Sequence, residues 1–233
     1  MPNILALECA SETCSVALSH HSGIIEKISM SPQRHNELLL PMVSDVLAQA
    51  QLSIGDIDAF AFGRGPGSFT GIRIAASVIQ GLAFATDKAV IPVSSLAALA
   101  QSAFDKHECT DVLTIVDARM GEVYWAHYQL KEQVMRLIGD ECLCLPSKTP
   151  VIPEDIKGKR TTLMAVGNAY VYEEELATAN HLQLEWPRNI SATAKDIAKL
   201  ALVSFEAGDI YPAEQAIPVY LRETVNWKKL PGR

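Results

Sequence analysis

The stretch GRGPGSFTGIRI, residues 63–74, carries four glycines and a proline within its first nine residues. An apolar run over 57–62, typical of a strand, comes before it, and a mostly apolar run suited to a helix follows over 71–86. Glycine lets the backbone approach another group closely, and a helix N-terminus attracts anions. The stretch therefore predicts a strand–loop–helix unit of an α/β fold, whose loop either holds a phosphate or lets the helix pack tightly.

The glycine spacing fits neither of two common phosphate-binding patterns. No Lys-Ser or Lys-Thr pair follows the last glycine, as a P-loop requires. After Gly65 and Gly67 the third glycine is Gly71, one residue later than in G-x-G-x-x-G. Ser68 and the amides beside it could still hold an anion at the start of the helix, and Thr70 is suited to cap it. Both roles of the loop stay open on spacing alone.

The order of predicted elements repeats along the chain. Each half begins with a meander of three short strands and continues with helices and further strands. The pattern predicts a duplicated α/β unit with domains at 1–100 and 101–211 and an irregular tail at 212–233. We expect strands at 4–9, 14–19, 23–28, 57–62, 89–93, 112–116, 122–128, 133–137 and 161–166, and helices at 36–50, 71–86, 96–104 and 192–207.

Composition limits the classes of function. The chain has 233 residues, 48% of them hydrophobic and 20% charged, which is typical of a globular protein. Its net charge of -7 argues against a protein that binds nucleic acid alone. Five cysteines without a CxxC pair indicate reduced thiols and a cytoplasmic protein. The N-terminus lacks the basic region of a signal peptide, and the apolar segment 74–85 is too short for a membrane anchor.

Two predicted helices carry more apolar surface than one packed face needs. The helix over 71–86 is apolar nearly all round and rich in small residues, and the helix over 36–50 has a similarly wide apolar arc. Burial within the chain explains this pattern, and so does a helical interface with another chain. The interface hypothesis assigns to that surface Leu38, Leu39, Met42, Val46, Arg73, Ala76, Ser77, Gln80 and Phe84.

Candidate catalytic groups are few. His35 precedes the first long helix, but Leu39 stands four residues later, where a metal-binding pair would need a second histidine. Asp117 and Arg119 follow a predicted buried strand, where they could orient phosphate or magnesium, or cap a turn and pair with each other. His20 is expected in an exposed turn. The pattern predicts no catalytic residues and no metal site.

Four blocks of sequence together resemble the TsaB (YeaZ) family. They are ILALECASETCSVAL at 4–18, RHNELLLPMV at 34–43, GRGPGSFTGIRI at 63–74 and VDARMGEVYWA at 116–126. The motif IPVYLRETV at 217–225 extends the resemblance to nearly the whole chain. The resemblance implies the duplicated α/β fold of the actin/Hsp70-like (ASKHA, RNase H-like) class, with two lobes.

The resemblance also implies a function. TsaB proteins are regarded as the non-catalytic partners of TsaD, which places a threonylcarbamoyl group on the adenosine beside the anticodon of tRNA. They dock on TsaD through their two N-terminal helices, and a similar surface serves self-dimers. A TsaE-like ATPase joins the assembly, tRNA is an indirect partner, no membrane is involved, and ATP or ADP with Mg²⁺ is expected only within the complex. The alternatives are a stand-alone nucleotide-dependent enzyme and a glycoprotease-like peptidase.

The chain departs from the superfamily pattern at the end of the first strand. An Asp followed by small hydroxyl residues usually meets phosphate there, and this chain has Glu8 followed by Cys9 and Ala10. The longer acid and the lost hydroxyls weaken an independent nucleotide site. The candidate residues of a vestigial nucleotide site are Glu8, Ser68, Thr70, Asp117 and Arg119.

Overall fold

The computed structural model describes residues 1–30, 35–152, 162–181 and 183–222. Its strands form two five-stranded sheets. The first sheet contains β1 (Ile4–Glu8), β2 (Cys14–His20), β3 (Gly23–Ser29), β4 (Ala59–Gly63) and β5 (Ala89–Val93). The second contains β6 (Asp111–Arg119), β7 (Glu122–Lys131), β8 (Val134–Cys144), β9 (Thr162–Val166) and β10 (Gln183–Glu185). The helices are α1 (His35–Ala50), α2 (Phe69–Thr86), α3 (Ser95–His107), α4 (Glu173–Asn180) and α5 (Ala194–Glu206).

The two sheets have the same topology. The strand order is β3-β2-β1-β4-β5 in the first sheet and β8-β7-β6-β9-β10 in the second. In each, three antiparallel strands form a meander, and two further strands continue the sheet in parallel from the meander's first strand. This repeat confirms the predicted duplicated α/β fold.

Helices cover both faces of the first sheet and join the two halves. α1 and α2 pack on its outer face, in a core cluster that includes Leu5, Leu7 and Phe60. α3 and α5 share a central core with inward-facing residues of both sheets, and the outer face of the second sheet packs on α4 through Leu176. α5 contacts β1 and β2, whereas α3 contacts β6, β7 and β8. The predicted domain boundary at residue 100 thus falls inside α3.

The structure differs from the sequence prediction at the start of α2, at the end of β2 and in two short elements of the second half. The Ser68 side chain accepts a hydrogen bond from the Gly71 amide, so Ser68 caps α2 and Thr70 lies within the first turn. His20 ends β2 and is buried, rather than lying in an exposed turn. α4 and β10 were not predicted, because the first is polar and the second has three residues.

The length and composition of α2 are those of a membrane-spanning helix. It is the one helix in the described part of the chain that is long and apolar enough to match a membrane span, with a mean hydropathy of 1.3. The core helix of a soluble protein has the same composition. Ala75, Ile79 and Ala83 of α2 are buried in the cluster against the first sheet.

The C-terminal segment, residues 211–222, crosses from the first half to the second. Tyr211 forms an antiparallel bridge with Val90 of β5. The Val219 amide donates a 2.9 Å hydrogen bond to the Arg64 carbonyl. Arg222 then forms a 2.5 Å ion pair with Glu122 of β7. The predicted tail is therefore irregular but bonded to both halves, and its part at 223–233 lies outside the described residues.

Candidate functional site

The glycine loop packs directly on the end of the β1–β2 hairpin. A Cβ atom on Gly71 would lie 1.8 Å from the Cys9 carbonyl oxygen, and one on Gly67 would lie 2.4 Å from the Ala10 carbonyl oxygen. The Ser68 amide donates a 2.7 Å hydrogen bond to that Ala10 oxygen. Because real Cβ atoms do not approach this closely, these glycines bring the start of α2 onto the hairpin backbone.

Glu8 fills the space at the end of β1. It is buried, and its carboxylate accepts hydrogen bonds from the Ala10 amide at 2.5 Å and from the Ser95 hydroxyl at 2.8 Å. A Cβ atom on Gly63 would lie 1.9 Å from Glu8 Oε2. Burial raises the pKa of Glu8, against the opposing effect of the Ala10 and Ser95 hydrogen bonds. The carboxylate thus occupies the volume between the hairpin, Gly63 and α3.

The structure splits the five candidate nucleotide-site residues into two groups. Glu8 and Ser68 are linked through Ala10, whose amide and carbonyl bond to them in turn, and Thr70 is exposed in the first turn of α2. Asp117 accepts a 2.8 Å hydrogen bond from the Arg119 amide and forms a 3.3 Å ion pair with the Arg119 guanidinium. This is the turn-capping alternative that the sequence left open for Asp117 and Arg119.

The neighbourhood of Asp117 is likewise built from local contacts. Its own amide donates a 2.7 Å hydrogen bond to the Asn168 side chain, and the β6–β7 pairing shifts register between Asp117 and Arg119. In the described ranges, no group of three or more His, Cys, Asp or Glu side chains could hold a metal ion. The side chain of His35 lies outside the described residues.

The outer surface of α2 is long and nearly uncharged. Phe84 is 75% exposed, and Ser77 and Gln80 are also exposed on the same arc. Arg73 is its one charged residue. On α1, Leu38 is half-buried, and Leu40, which lies outside the predicted partner surface, is 51% exposed.

Four residues assigned to the partner surface lie instead in the chain's own core. Leu39, Met42 and Val46 of α1 and Ala76 of α2 are all buried against the first sheet and its surroundings. The assignment of these side chains to an exposed surface is therefore corrected. Ala76 shares its core cluster with Ala213 and Ala216 of the C-terminal segment, 137 and 140 positions further along the chain (213 − 76 and 216 − 76).

The C-terminal segment runs along one side of the exposed α2 surface. The Arg73 side chain donates a 2.8 Å hydrogen bond to the Tyr220 hydroxyl, and its guanidinium lies 3.7 Å from the centre of the Phe69 ring. Gln80 donates to the Ala213 carbonyl at 3.3 Å. Arg73 and Gln80, which were assigned to a partner surface, are thus already bonded within the chain. Of the α2 residues assigned to that surface, Ser77 and Phe84 remain exposed and without such a contact in the described residues.

Gly81 lies beside this exposed part of α2, and no contact with another described residue requires a glycine there. It is exposed, its φ is not in the left-handed region, and a Cβ atom there would meet nothing within 4 Å. Glycine in a helix interior costs about 0.5–1 kcal/mol relative to alanine. We define the docking face as Ser77, Gly81, Phe84 and Ala85, a stretch of α2 where small residues surround one exposed ring.

Comparison with known proteins gives the family. The model of the family described as TsaD, tRNA N6-adenosine threonylcarbamoyltransferase, matches residues 16–224. The tRNA threonylcarbamoyladenosine biosynthesis protein TsaB of Escherichia coli is 39% identical over 230 residues, which cover 99% of each chain. The chain belongs to the TsaB family. The TsaB protein of Haemophilus influenzae is 36% identical over 99% of this chain and 98% of its own length.

Solved structures agree with this TsaB-family assignment. YeaZ from Pseudomonas aeruginosa has a TM-score of 0.85 and 38% identity, and covers 95% of this chain and 100% of its own. A Pseudomonas aeruginosa protein described as similar to the peptidase YeaZ has a TM-score of 0.88 and 40% identity, with the same coverage. This TsaB-family chain therefore has the YeaZ fold over nearly its whole length and takes its place in tRNA threonylcarbamoyladenosine biosynthesis.

Proposed function

We propose that this TsaB-family chain is a non-catalytic subunit that binds a TsaD-like transferase and supports tRNA threonylcarbamoylation in the cytoplasm. The observation that carries the proposal is the docking face, where α2 keeps an exposed Phe84 beside Gly81, a glycine that no contact among the described residues requires. A second helix that approaches α2 closely would bury Phe84 and use the room left by the missing Cβ.

The glycine loop supports a scaffold rather than a nucleotide-dependent enzyme. Its glycines contact Cys9 and Ala10 of the hairpin, its Ser68 amide is bonded to Ala10, and Glu8 fills the end of β1. A phosphate at this loop would have to displace contacts that the fold itself makes. We therefore assign ATP or ADP with Mg²⁺ to the complex and not to this chain alone.

The proposal extends to the other members of the assembly. A TsaE-like ATPase would join the complex, and tRNA would be met through the transferase, in keeping with the net charge of -7. A second copy of this chain would compete for the same docking face. Self-association and transferase binding are then mutually exclusive, which sedimentation of the mixed proteins at several ratios would measure.

The test is reconstitution of tRNA threonylcarbamoylation with a TsaD-like transferase, in the presence and absence of this chain. We expect activity to depend on the chain, and Phe84→Glu to weaken transferase binding by at least about tenfold, since exposed aromatic residues are common binding hot spots. Val171→Glu is the matched control, because Val171 is a comparably exposed apolar residue in the second half. It should bind like the parent chain.

Gly81→Ala is the finer test of close helix approach. In the isolated chain it should raise the free energy of unfolding by about 0.5–1 kcal/mol, because the added methyl group meets open space. In the complex it should weaken binding. If Gly81→Ala and Phe84→Glu both bound the transferase normally, the docking face would be wrong. If modification proceeded equally well without the chain, the subunit role itself would be wrong.

A further inference from the structure

Cys9 and Cys14 face each other at the end of the β1–β2 hairpin. The strands pair with Glu8 opposite Ser15, so Cys9 and Cys14 are the next residues in register. Their Sγ atoms are 3.5 Å apart, and both side chains are buried. Directly opposite residues in antiparallel strands have Cα atoms about 4.5–5.5 Å apart, within the range of about 4.4–6.8 Å that a disulfide needs. The pair therefore lies within the range from which a disulfide can form, with the sulfur atoms still to be drawn together.

The same hairpin end carries the first turn of α2. The Cys9 carbonyl oxygen lies against the backbone of Gly71, and the Ala10 carbonyl accepts the Ser68 amide. A bond between the sulfur atoms would draw them from 3.5 Å to about 2.05 Å. Because this contact with α2 is backbone against backbone, a shift of Cys9 has no flexible side chain to absorb it.

We propose that Cys9 and Cys14 form a thiol-oxidation site, at which a low-molecular-weight disulfide such as oxidised glutathione produces an intrachain disulfide that shifts the first turn of α2. The regulatory part rests on the proposed function, since α2 carries the docking face. Oxidation would weaken binding of the transferase, and reduction would restore it.

The reaction is a pair of thiol–disulfide exchanges. The Cys14 thiolate attacks one sulfur of oxidised glutathione, which forms a mixed disulfide and releases one glutathione thiolate. The Cys9 thiolate then attacks the Cys14 sulfur, the intrachain bond forms, and the second glutathione thiolate leaves. The two protein thiol protons pass to the two released thiolates. We write Cys14 as the first nucleophile, because burial raises the pKa of Cys9; the exchange balances equally with the two thiols in the opposite order.

Access to the pair is through the turn that joins the strands. Ser11 and Glu12 are exposed at its tip, while Thr13 is buried and its amide is bonded to the Ser11 hydroxyl. The turn must open locally before glutathione can reach Cys14. We therefore expect oxidation to be slower than that of an exposed thiol, but much faster than global unfolding.

The experiment uses the full chain with Cys109, Cys142 and Cys144 changed to serine, so that Cys9 and Cys14 are its remaining cysteines. After incubation with oxidised glutathione, mass spectrometry should show the loss of two hydrogen masses, and peptide mapping should show a Cys9–Cys14 link. The Cys9→Ala chain in the same background keeps a small apolar side chain and should show no such loss. Hydrogen exchange of the amides in the first turn of α2 should change on oxidation and recover with dithiothreitol.

Binding to the transferase is the second measurement. Oxidation should weaken it by at least about fivefold, reversibly, in the chain with both cysteines and not in Cys9→Ala. If no disulfide forms, or if it forms only as fast as the chain unfolds globally, the site is wrong. If it forms while α2 exchange and binding stay unchanged, the regulatory role is wrong. If the reduced chain does not bind the transferase, the proposed function fails, and the mass and exchange data still decide the oxidation site.

Discussion

The central strands of the two sheets carry carboxylates in opposite surroundings. Glu8 at the end of β1 is buried, bonded to Ser95 and pressed against Gly63, whereas Asp117 in β6 is partly exposed and paired with Arg119. The strand order around them is the same. A duplicated topology thus holds two different polar arrangements, and the fold alone does not determine the chemistry at a strand end.

The parallel strand beside each central strand ends in a glycine: Gly63 is the last residue of β4, and Gly167 directly follows β9. The two glycines are required for different reasons. A Cβ atom on Gly63 would meet the Glu8 side chain at 1.9 Å, while one on Gly167 would meet the Ile115 carbonyl oxygen at 2.1 Å. Gly167 also has a φ of +127°, which L side chains rarely adopt. In the first half the close neighbour is a side chain that can be changed; in the second half it is backbone.

The largest effect is expected for Gly167→Ala. The substitution places a Cβ atom against backbone and forces an alanine into a left-handed conformation. It should therefore lower the free energy of unfolding by about 3 kcal/mol or more. Gly208→Ala is the control for the conformation alone, since Gly208 has a φ of +76° and open space around it. Urea unfolding of both variants separates the two causes. Equal losses for the two would contradict the steric part of the comparison.

Gly63→Ala should cost about 2 kcal/mol, because the clash falls on a buried carboxylate that has little room to move. Glu8→Ser removes that carboxylate and should therefore rescue part of the loss. In a double-mutant cycle we expect a coupling of at least about 1 kcal/mol between positions 8 and 63. Additivity within about 0.5 kcal/mol would show that Glu8 is not what makes Gly63 necessary.

Glu8→Gln tests the buried carboxylate by its pH dependence. Because burial raises the folded-state pKa above its ordinary value of 4.5, the folded chain holds this proton more tightly than the unfolded chain. The resulting stability is present below pH 4.5 and is lost as the pH rises through the folded-state pKa. Because the glutamine side chain carries no such proton, Glu8→Gln should become more stable relative to the parent chain as the pH rises. Urea titrations from pH 4 to 8 measure it, and a constant difference would contradict the prediction.

Apolar patterning and turn residues predicted most of the strands and long helices of the fold. The two three-strand meanders, the long helices and their repeat were predicted because short apolar runs, as at Ile4 and Leu5, and helical spacing, as at Ile79, leave a strong pattern. β10 was not predicted because three residues, two of them exposed, carry too little of that pattern. α4 is short and begins with three glutamates, which is also common in loops.

The candidate site was predicted only in part, since helical spacing does not tell which arc of an apolar helix meets its own sheet. Leu39 and Val46 belong to the arc of α1 that packs inward, and Ala76 is covered by a segment far along the chain. Small residues were recognised as a sign of close approach in α2. Gly71 serves the hairpin and Gly81 has open space, a distinction that needs coordinates.

The smallest effect is expected for Asp117→Asn, the counterpart of Glu8→Gln. Arg119 is mostly exposed, so its ion pair with Asp117 is screened by water and should contribute less than about 1 kcal/mol. An asparagine side-chain oxygen can still accept the Arg119 amide, which preserves the turn. Urea unfolding should therefore give nearly the parent free energy. A loss as large as that of Gly63→Ala would mean that Asp117 supports the second half as Glu8 supports the first, and the contrast between the two strand ends would no longer hold.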